Sequence, residues 1–340
     1  MRNHGPGRYR CCGKYRCGPQ RVDRSEEPSG SPCFCRSWMN RLSTSLGSYP
    51  LSSPLIAASG TLGSLVEFAD VVDFSVYGAA TAKSVSPEPW QGNAVPRLAH
   101  THSGILNAIG IQNPGIESWI ASYAEGLRNL PTEVWGSVVA HGIDGFHVVA
   151  SSMADAGVAA IEINLSCPNL AGAPFALEPS ISADVVAAVR DATDLPIGAK
   201  LSSDAQPISA VAQAVSDAGA DWVIVSNTVM GAGIDPVTRR PLLSGLIGGY
   251  SGAPIRPIAI RSVLEISRDL PDLAIVGCGG VSKAEHVIEF LLAGASAVAI
   301  GSAHFKSPRV AGRISRDLTR FLKKHHIVSI SELIGAYERW

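Results

Sequence analysis

The stretch "DAGVAAIEIN", residues 155–164, compresses a helix end, a stop and a buried strand into ten residues. Gly157 stands where a left-handed residue ends a helix. The Val, Ile and Ala run that follows reads as a short strand buried on both faces. The same grammar returns in "DAGADWVIVSN" (217–227) around Gly219 and in "LAGASAVAIGS" (292–302) around Gly294. Seven residues after each glycine come Asn164, Ser226 and Gly301. This is a parallel strand–helix repeat, read at the C-terminal end of each strand. Working outward, strands are expected in "PLIAAS" (54–59), near 71–83, in "EVWGSVVA" (133–140), in "LPIGAKL" (195–201) and in "LAIVGCGG" (273–280). Amphipathic helices are expected over 180–193, 207–218 and 255–269, and Ser282 with Glu285 has the spacing of a capping box. Eight strands alternating with helices predict an α/β chain folded as a (β/α)8 TIM barrel. An open doubly wound sheet is the alternative, and the lack of GxGxxG after the first strand weighs against it.

Composition bounds the partners. The 340 residues carry a formal charge of −1, and 46% are hydrophobic. Near-neutral charge gives no reason to expect nucleic acid. No stretch approaches the roughly 18 consecutive apolar residues of a membrane span. Residues 1–41 hold a charge of +6 against −7 for the remainder, and are rich in Gly, Pro and Ser without hydrophobic period. They read as a disordered or mis-assigned extension, followed by a catalytic domain over 42–340. Five cysteines lie in that extension; only Cys167 and Cys278 follow. Such a body is no disulfide scaffold and suits a reducing cytoplasm. "CCGKYRC" and "CFC" lack paired metal-ligand spacing, and His100, His102, His141 and His147 form none, so no metal site is assigned.

In a barrel the strand C-termini build the active site. Those positions hold Ser59, Lys83, Asn164, Lys200, Ser226 with Asn227, Gly279 with Gly280, and Gly301 with Ser302. Lysines at the ends of two apolar runs are unusual, because a lysine is rarely buried unless paired. Glycine turns at the last two strand ends, one of them opening a helix, suit an anion such as phosphate. Cys167 stands beyond the strand in "EINLSCPNL", before Pro168, where a thiol serves as nucleophile or general base. Cys278 lies inside a strand and reads as packing. "GILNAIGIQNPG" (104–115) reads as a loop whose amides suit a flat polar heterocycle.

Together "INLSCPN", "AKSVSPEPWQGN", "GILNAIGIQNPG", "GAKLS", "GGYSG" and "GCGGVSKAEHVIEFLLAGASAVAIGSA" resemble class 1 dihydroorotate dehydrogenase, in order, from about Pro54 to the C-terminus. The resemblance implies an FMN-containing barrel that oxidises dihydroorotate to orotate in pyrimidine synthesis. It implies that Cys167 is the catalytic base. It places substrate contacts at Lys83, Asn107, Ala108, Ile109, Gly110, Ile111, Asn164, Asn169, Asn227 and Thr228. Flavin contacts are implied at Ser59, Lys83, Ser84, Asn164, Lys200 and Ser226, with the ribityl-phosphate cradle at Gly252, Gly279, Gly280, Gly301 and Ser302. Where the family usually has a flavin-touching asparagine, this chain has Ser137, whose shorter side chain is expected to work through a water. A lid is expected around 170–177, with Gly172 and Pro174.

Cysteine-base members of the family are of two kinds. One is a fumarate-reducing homodimer; the other is a heterotetramer with a subunit carrying FAD and an iron–sulfur cluster, and reduces NAD. "SPEPWQGN", "NAIGIQNPG", "SNTVMG" and "GGYSGAPIRPIAIR" look closer to the second. Two other readings stay open: an FMN barrel acting on a different dihydropyrimidine, and a catalytically silent flavin-binding subunit.

Overall fold

A computed structural model describes residues 41–165 and 177–340. The body, Met39–Trp340, is one compact unit. It opens with a hairpin, β1 (Thr44–Leu46) and β2 (Tyr49–Leu51), then β3 (Leu55–Ala57), β4 (Ala79–Thr81), β5 (Leu98–His100) and β6 (Gly104–Asn107). Next come α1 (Ile116–Leu127), β7 (Glu133–Val138), α2 (Ile143–Asp155), β8 (Ala160–Asn164), α3 (Pro179–Ala192), β9 (Ile197–Lys200), α4 (Ile208–Asp217) and β10 (Trp222–Val225). The chain continues through β11 (Val229–Ala232), β12 (Ile247–Gly252), α5 (Arg256–Asp269), β13 (Ala274–Cys278), α6 (Ala284–Leu292), β14 (Ala297–Ile300), α7 (Ala303–Lys306) and α8 (Val310–Lys324).

Strands β3, β4, β7, β8, β9, β10, β13 and β14 close in that order into a parallel barrel, each beside its neighbour in sequence. All eight expected strands are present, and the barrel replaces the open-sheet alternative. The glycine stops behave as expected. Gly157, Gly219 and Gly294 have φ of 87°, 108° and 112° and lie just beyond α2, α4 and α6. Their N–H groups donate back into the last turns, to Ala154, Ser216 and Leu291 carbonyls.

Period-2 alternation sorts the strand residues. On β8, Ile161 and Ile163 pack outward with the helices, while Ala160 faces the lumen. The lumen is closed at its N-terminal end by aromatics: Trp222 lies 5.0 Å from Trp135 and 5.3 Å from Tyr49, ring centre to ring centre. Tyr49 arrives on the β1–β2 hairpin, which plugs the barrel with Leu46 and Leu51 and is tied to it by Thr44 Oγ1 donating to Ser296 O at 3.0 Å. Gly198 makes room: a Cβ there would fall on the Trp222 indole nitrogen. Above the aromatics, Ile56, Ile224, Val276 and Ala299 fill the middle.

Three features differ from the sequence expectations. The hairpin plug was not foreseen. Residues 104–107, expected in a loop, form β6, part of a four-stranded antiparallel sheet in the order β11–β12–β6–β5. Glycines at 104, 231, 248 and 249 interrupt the side-chain alternation that would have revealed it. The capping box at Ser282 and Glu285 does not form. Helix α6 begins at Ala284, so Ser282 lies one residue too early to cap, and its N–H instead donates to His286 Nδ1 at 3.3 Å. A capping box does form at Ser329 and Glu332.

The Gly198 contact yields a test. Gly198→Ala overpacks a rigid aromatic layer and should lower stability by about 1–3 kcal/mol, read as a reduced urea midpoint. Gly301→Ala should cost far less, since a Cβ there meets Ala58 and Thr61 only at 3.7 and 3.9 Å.

Candidate active site

Lumen alternation that stacks apolar residues below turns polar ones inward at the strand C-termini. Glu162, two residues after Ala160, is 3% exposed and Lys200 is 6% exposed. Register sets Glu162 opposite Ser137 on β7 and Lys200 opposite Asn164. Lys200 Nζ lies 3.7 Å from Glu162 Oε1 and donates to Ser59 Oγ at 3.2 Å; Ser59 Oγ donates to Glu162 Oε1 at 2.8 Å. Ser137 Oγ donates to the same oxygen at 3.5 Å and shares a 2.8 Å hydrogen bond with Ser84 Oγ. Asn164 Nδ2 donates to Ser84 Oγ at 3.1 Å, and Asn227 Nδ2 donates to Asn164 Oδ1 at 3.2 Å. An unbroken line of polar contacts thus runs from Lys200 through the barrel to Asn227. A buried charge persists only when paired and hydrogen-bonded, and Glu162 with Lys200 meet both conditions.

The second lysine differs. Lys83 follows β4, its N–H donating to Gly63 O at 3.0 Å, and among the described residues it forms no ion pair. Burial, with the nearby Lys200 charge second, lowers its ammonium to about 8 from the usual 10.5. A partly desolvated cation without a counter-ion is a receptor for an anion.

The four-stranded sheet delivers the amide side chains. Asn107 Nδ2, at the end of β6, donates to Gly249 O at 3.0 Å. A Cβ on Gly249 would collide with the Thr228 hydroxyl, so Asn107 and Thr228 flank one glycine. Residues 108–111 form a tight turn against the 90–97 loop. Ala108 N–H donates to Arg97 O at 2.8 Å, Ile109 O accepts from Asn93 N at 3.1 Å, and Gly110 and Ile111 both have positive φ. Ile111 O accepts from Asn113 Nδ2 at 2.9 Å.

The glycine positions suit a phosphate-bearing cofactor. Gly252, Gly279 and Gly280 have φ of 103°, 148° and 66°. A Cβ on Gly280 would lie 2.8 Å from Gly252 O and 3.0 Å from Arg256 Cβ, so these loops meet backbone to backbone. Gly301 has no such internal reason to be glycine, which is what close approach by a ligand would leave. With Ser59, Ser84, Asn164, Lys200 and Ser226 supplying hydroxyl, amide and ammonium groups at the same barrel end, the donor set fits a flavin phosphate and ring. Ser226 is buried, its N–H donating to Cys278 O at 2.8 Å. Cys278 itself ends β13 in the lumen cluster, its thiol pushed up by burial, in keeping with a packing role.

Cys167, Asn169 and residues 170–176 of the lid expected at 170–177 lie outside the described residues, as do residues 1–40. Arg41 lies within them: its Nη1 donates to Ile327 O at 3.0 Å. Ser137, expected to work through a water, has its hydroxyl engaged directly by Ser84 and Glu162.

Two groups escaped the sequence reading. Glu162 lies inside the motif first quoted, and its signal was a carboxylate two residues from Asn164 in a strand buried on both faces. His304, 2% exposed, is held between Thr61 Oγ1 and Tyr77 OH, each 2.9 Å away. It pins the start of α7, just after Gly301 and Ser302, to both ends of the β3–β4 connection, and nothing in the local pattern marks it.

The fold and this polar barrel mouth define a (β/α)8 barrel with a buried ion pair and a desolvated lysine at the C-terminal ends of its strands. Comparison with known proteins gives the family. The family described as dihydroorotate dehydrogenase matches residues 41–322. A Geobacter protein (strain M21) is 39% identical over 300 residues, covering 87% of this chain and 98% of its own. One from Shouchella clausii is 38% identical over 300 residues, with 87% and 98% covered, and one from Bacillus pumilus 39% over 297, with 86% and 96%. Each is named as the catalytic subunit of dihydroorotate dehydrogenase B (NAD(+)). The chain belongs to the dihydroorotate dehydrogenase family, flavin-dependent oxidoreductases that act on dihydroorotate in pyrimidine biosynthesis.

The His304 clamp makes stability pH-dependent. Burial lowers its imidazole to about 4, below the ordinary 6.5, so the folded state holds it neutral. The unfolded chain therefore binds the proton first. Stability from this group is complete above pH 6.5 and is lost as pH falls from there toward 4, by up to about 3 kcal/mol. Urea midpoints measured across that window should show the slope in the native protein, and His304→Asn should flatten it.

Proposed function

We propose that this chain is the catalytic subunit of an NAD-linked dihydroorotate dehydrogenase, taking dihydroorotate to orotate at the C-terminal mouth of the barrel. The observation that carries the reading is the desolvated Lys83, without an ion pair among the described residues, beside the compensated Lys200, with Asn107, Asn164, Asn227 and Thr228 gathered around the same opening. Dihydroorotate offers a carboxylate for a cation and ring amides for asparagine side chains. Lys83 takes the carboxylate. The asparagines, with Asn169 and the turn at 108–111, match the ring's donors and acceptors and fix its orientation.

Cys167, three residues beyond Asn164, receives the proton from C5 of the ring. A thiol near its ordinary pKa of about 8.5 holds a few per cent thiolate at neutrality, enough for a positioned base. FMN, held by Ser59, Lys83, Ser84, Ser137, Asn164, Lys200 and Ser226 with its phosphate at Gly252, Gly279, Gly280, Gly301 and Ser302, supplies the acceptor for the hydride from C6.

The relatives' names include NAD and the word subunit, which supports a partner. We assign to that partner the FAD and iron–sulfur cluster that pass electrons to NAD, in a heterotetramer. No described helix is long and apolar enough to cross a membrane; we place the enzyme in the cytoplasm. Residues 1–41 lie outside the catalytic domain in this reading, and 42–340 form it.

The deciding experiment is anaerobic addition of dihydroorotate to FMN-loaded protein. The flavin should bleach, and Cys167→Ala should keep its flavin but reduce it at least a hundredfold more slowly, the low end of general-base effects. The lone chain should turn over with artificial acceptors and not with NAD until the partner is added. Protein that takes up no FMN, or rapid turnover of the lone chain with fumarate, overturns the respective part of the reading.

Lys83 adds a pH signature. Its cation is complete below about pH 8 and is lost above it in the free enzyme. Orotate affinity, followed by flavin absorbance, should be level below pH 8 and fall by up to tenfold per pH unit above it. Lys83→Gln should bind orotate weakly at every pH and show no such break.

A further inference from the structure

We propose that Glu162 is a positioning residue that holds Lys200 in place and, by neutralising it, lowers the reduction potential of the flavin. This inference rests on the proposed FMN site.

Depth in the lumen comes first. Glu162 stands opposite Gly198, whereas Asn164 stands opposite Lys200, so the carboxylate sits one lumen layer below the amide. At that depth it is 3% exposed and reaches no substrate at the mouth. Its only charged contact among the described residues is Lys200, at 3.7 Å. The remaining contacts are the hydroxyls of Ser59 and Ser137 on the same oxygen. Ser59 also accepts from Lys200, so three side chains from three different strand ends close a triangle. The ammonium is therefore fixed in position by its partner and not by snorkelling to water.

The second consequence is electrical. Electrons added to a flavin ring add negative charge, and fixed cations nearby favour that charge. The barrel mouth holds two lysines, Lys83 and Lys200. The carboxylate below cancels one of them, so the site presents a net single positive charge where it would otherwise present two. A buried charge is screened weakly. The cancellation therefore reaches the flavin and makes its reduced form a stronger donor. An enzyme that must pass electrons on to a low-potential acceptor such as NAD gains from this setting.

The test is the flavin potential, measured by equilibration against a reference dye at pH 7. Glu162→Gln keeps shape and one hydrogen-bond acceptor but removes the charge. Its flavin should be easier to reduce, with the reduced-to-oxidised ratio at fixed poise shifted at least tenfold, about 30 mV for a two-electron couple. An unchanged or lowered potential overturns the proposal, leaving Glu162 a merely structural residue. Where Glu162→Gln fails to fold, the double substitution Glu162→Gln, Lys200→Gln removes both charges together. It should sit within that tenfold window of the native protein, whereas a clearly lower potential would show that Lys200 acted unneutralised and overturns the proposal. The native protein is the control for the reading beneath: if it binds no FMN, the flavin site itself falls, and this inference with it.

Discussion

A carboxylate and an ammonium share the inside of a closed barrel, and the rest of the site is arranged by that requirement. Neither Glu162 nor Lys200 can reach bulk water. Leaving either without its partner would strand a charge in the lumen, typically worth about 3–5 kcal/mol. The pair fixes the relative register of β8 and β9, since a one-residue slip of either strand would turn its charge outward among the apolar residues beneath the helices. It also recruits Ser59 from the loop after β3, and through Ser137 and Ser84 it reaches Asn164. A single polar line therefore holds together loops that come from far apart in the chain.

Below this line the lumen must be filled, and above it the lumen must be open. Trp135, Trp222 and the inserted Tyr49 do the first, in a layer that only the missing side chain of Gly198 permits. The four-stranded sheet does the second by adding a rim outside the barrel, carrying Asn107 and Thr228 beside Gly249. The two ends thus obey opposite rules. The bottom needs volume and rigidity, and the top needs polar groups whose partners are not all supplied by the protein itself. Lys83 is the clearest instance, a cation lowered to about 8 chiefly by burial and without an ion pair among the described residues.

How much of this could be read from sequence follows from the range of each interaction. The barrel strands were legible because a strand buried on both faces writes itself as a continuous run of Val, Ile and Ala, and because Gly157, Gly219 and Gly294 mark the helix ends before three of them. Asn164, Lys200 and the glycines 279, 280 and 301 were legible as polar or glycine residues at the ends of such runs. Glu162 was in plain view yet passed over, because a run read as buried on both faces gives no reason to ask which face each residue takes. The β1–β2 plug and the four-stranded sheet were illegible for another reason. Their strands are only three to six residues long, too short to show a period, and the four-stranded sheet is joined by a pairing distant in sequence, Gly249 on β12 with Asn107 on β6. The clamp of His304 on Thr61 and Tyr77 spans 227 to 243 positions, and no local pattern carries it.

One short segment shows how economically a barrel strand distributes chemistry. On β8 the lumen positions recur every second residue, so Ala160 falls in the apolar layer, Glu162 in the charge layer and Asn164 at the level of Lys200. The strand ends there, and the chain is then free of the alternation, which is where Cys167 stands in the sequence. At that height the lumen position of β8 is taken by the Asn164 amide, and the alternate positions, Ile161 and Ile163, face the helices. In the proposed reading the base lies beyond the strand in sequence and the carboxylate two residues before the strand's end, so the proton chemistry and the charge that tunes the electron chemistry fall on separate stretches. Each can then change without displacing the other. The proposed base and the proposed electrostatic counterweight thus lie within six residues of one another in sequence, and the counterweight is fixed by the strand's own alternation.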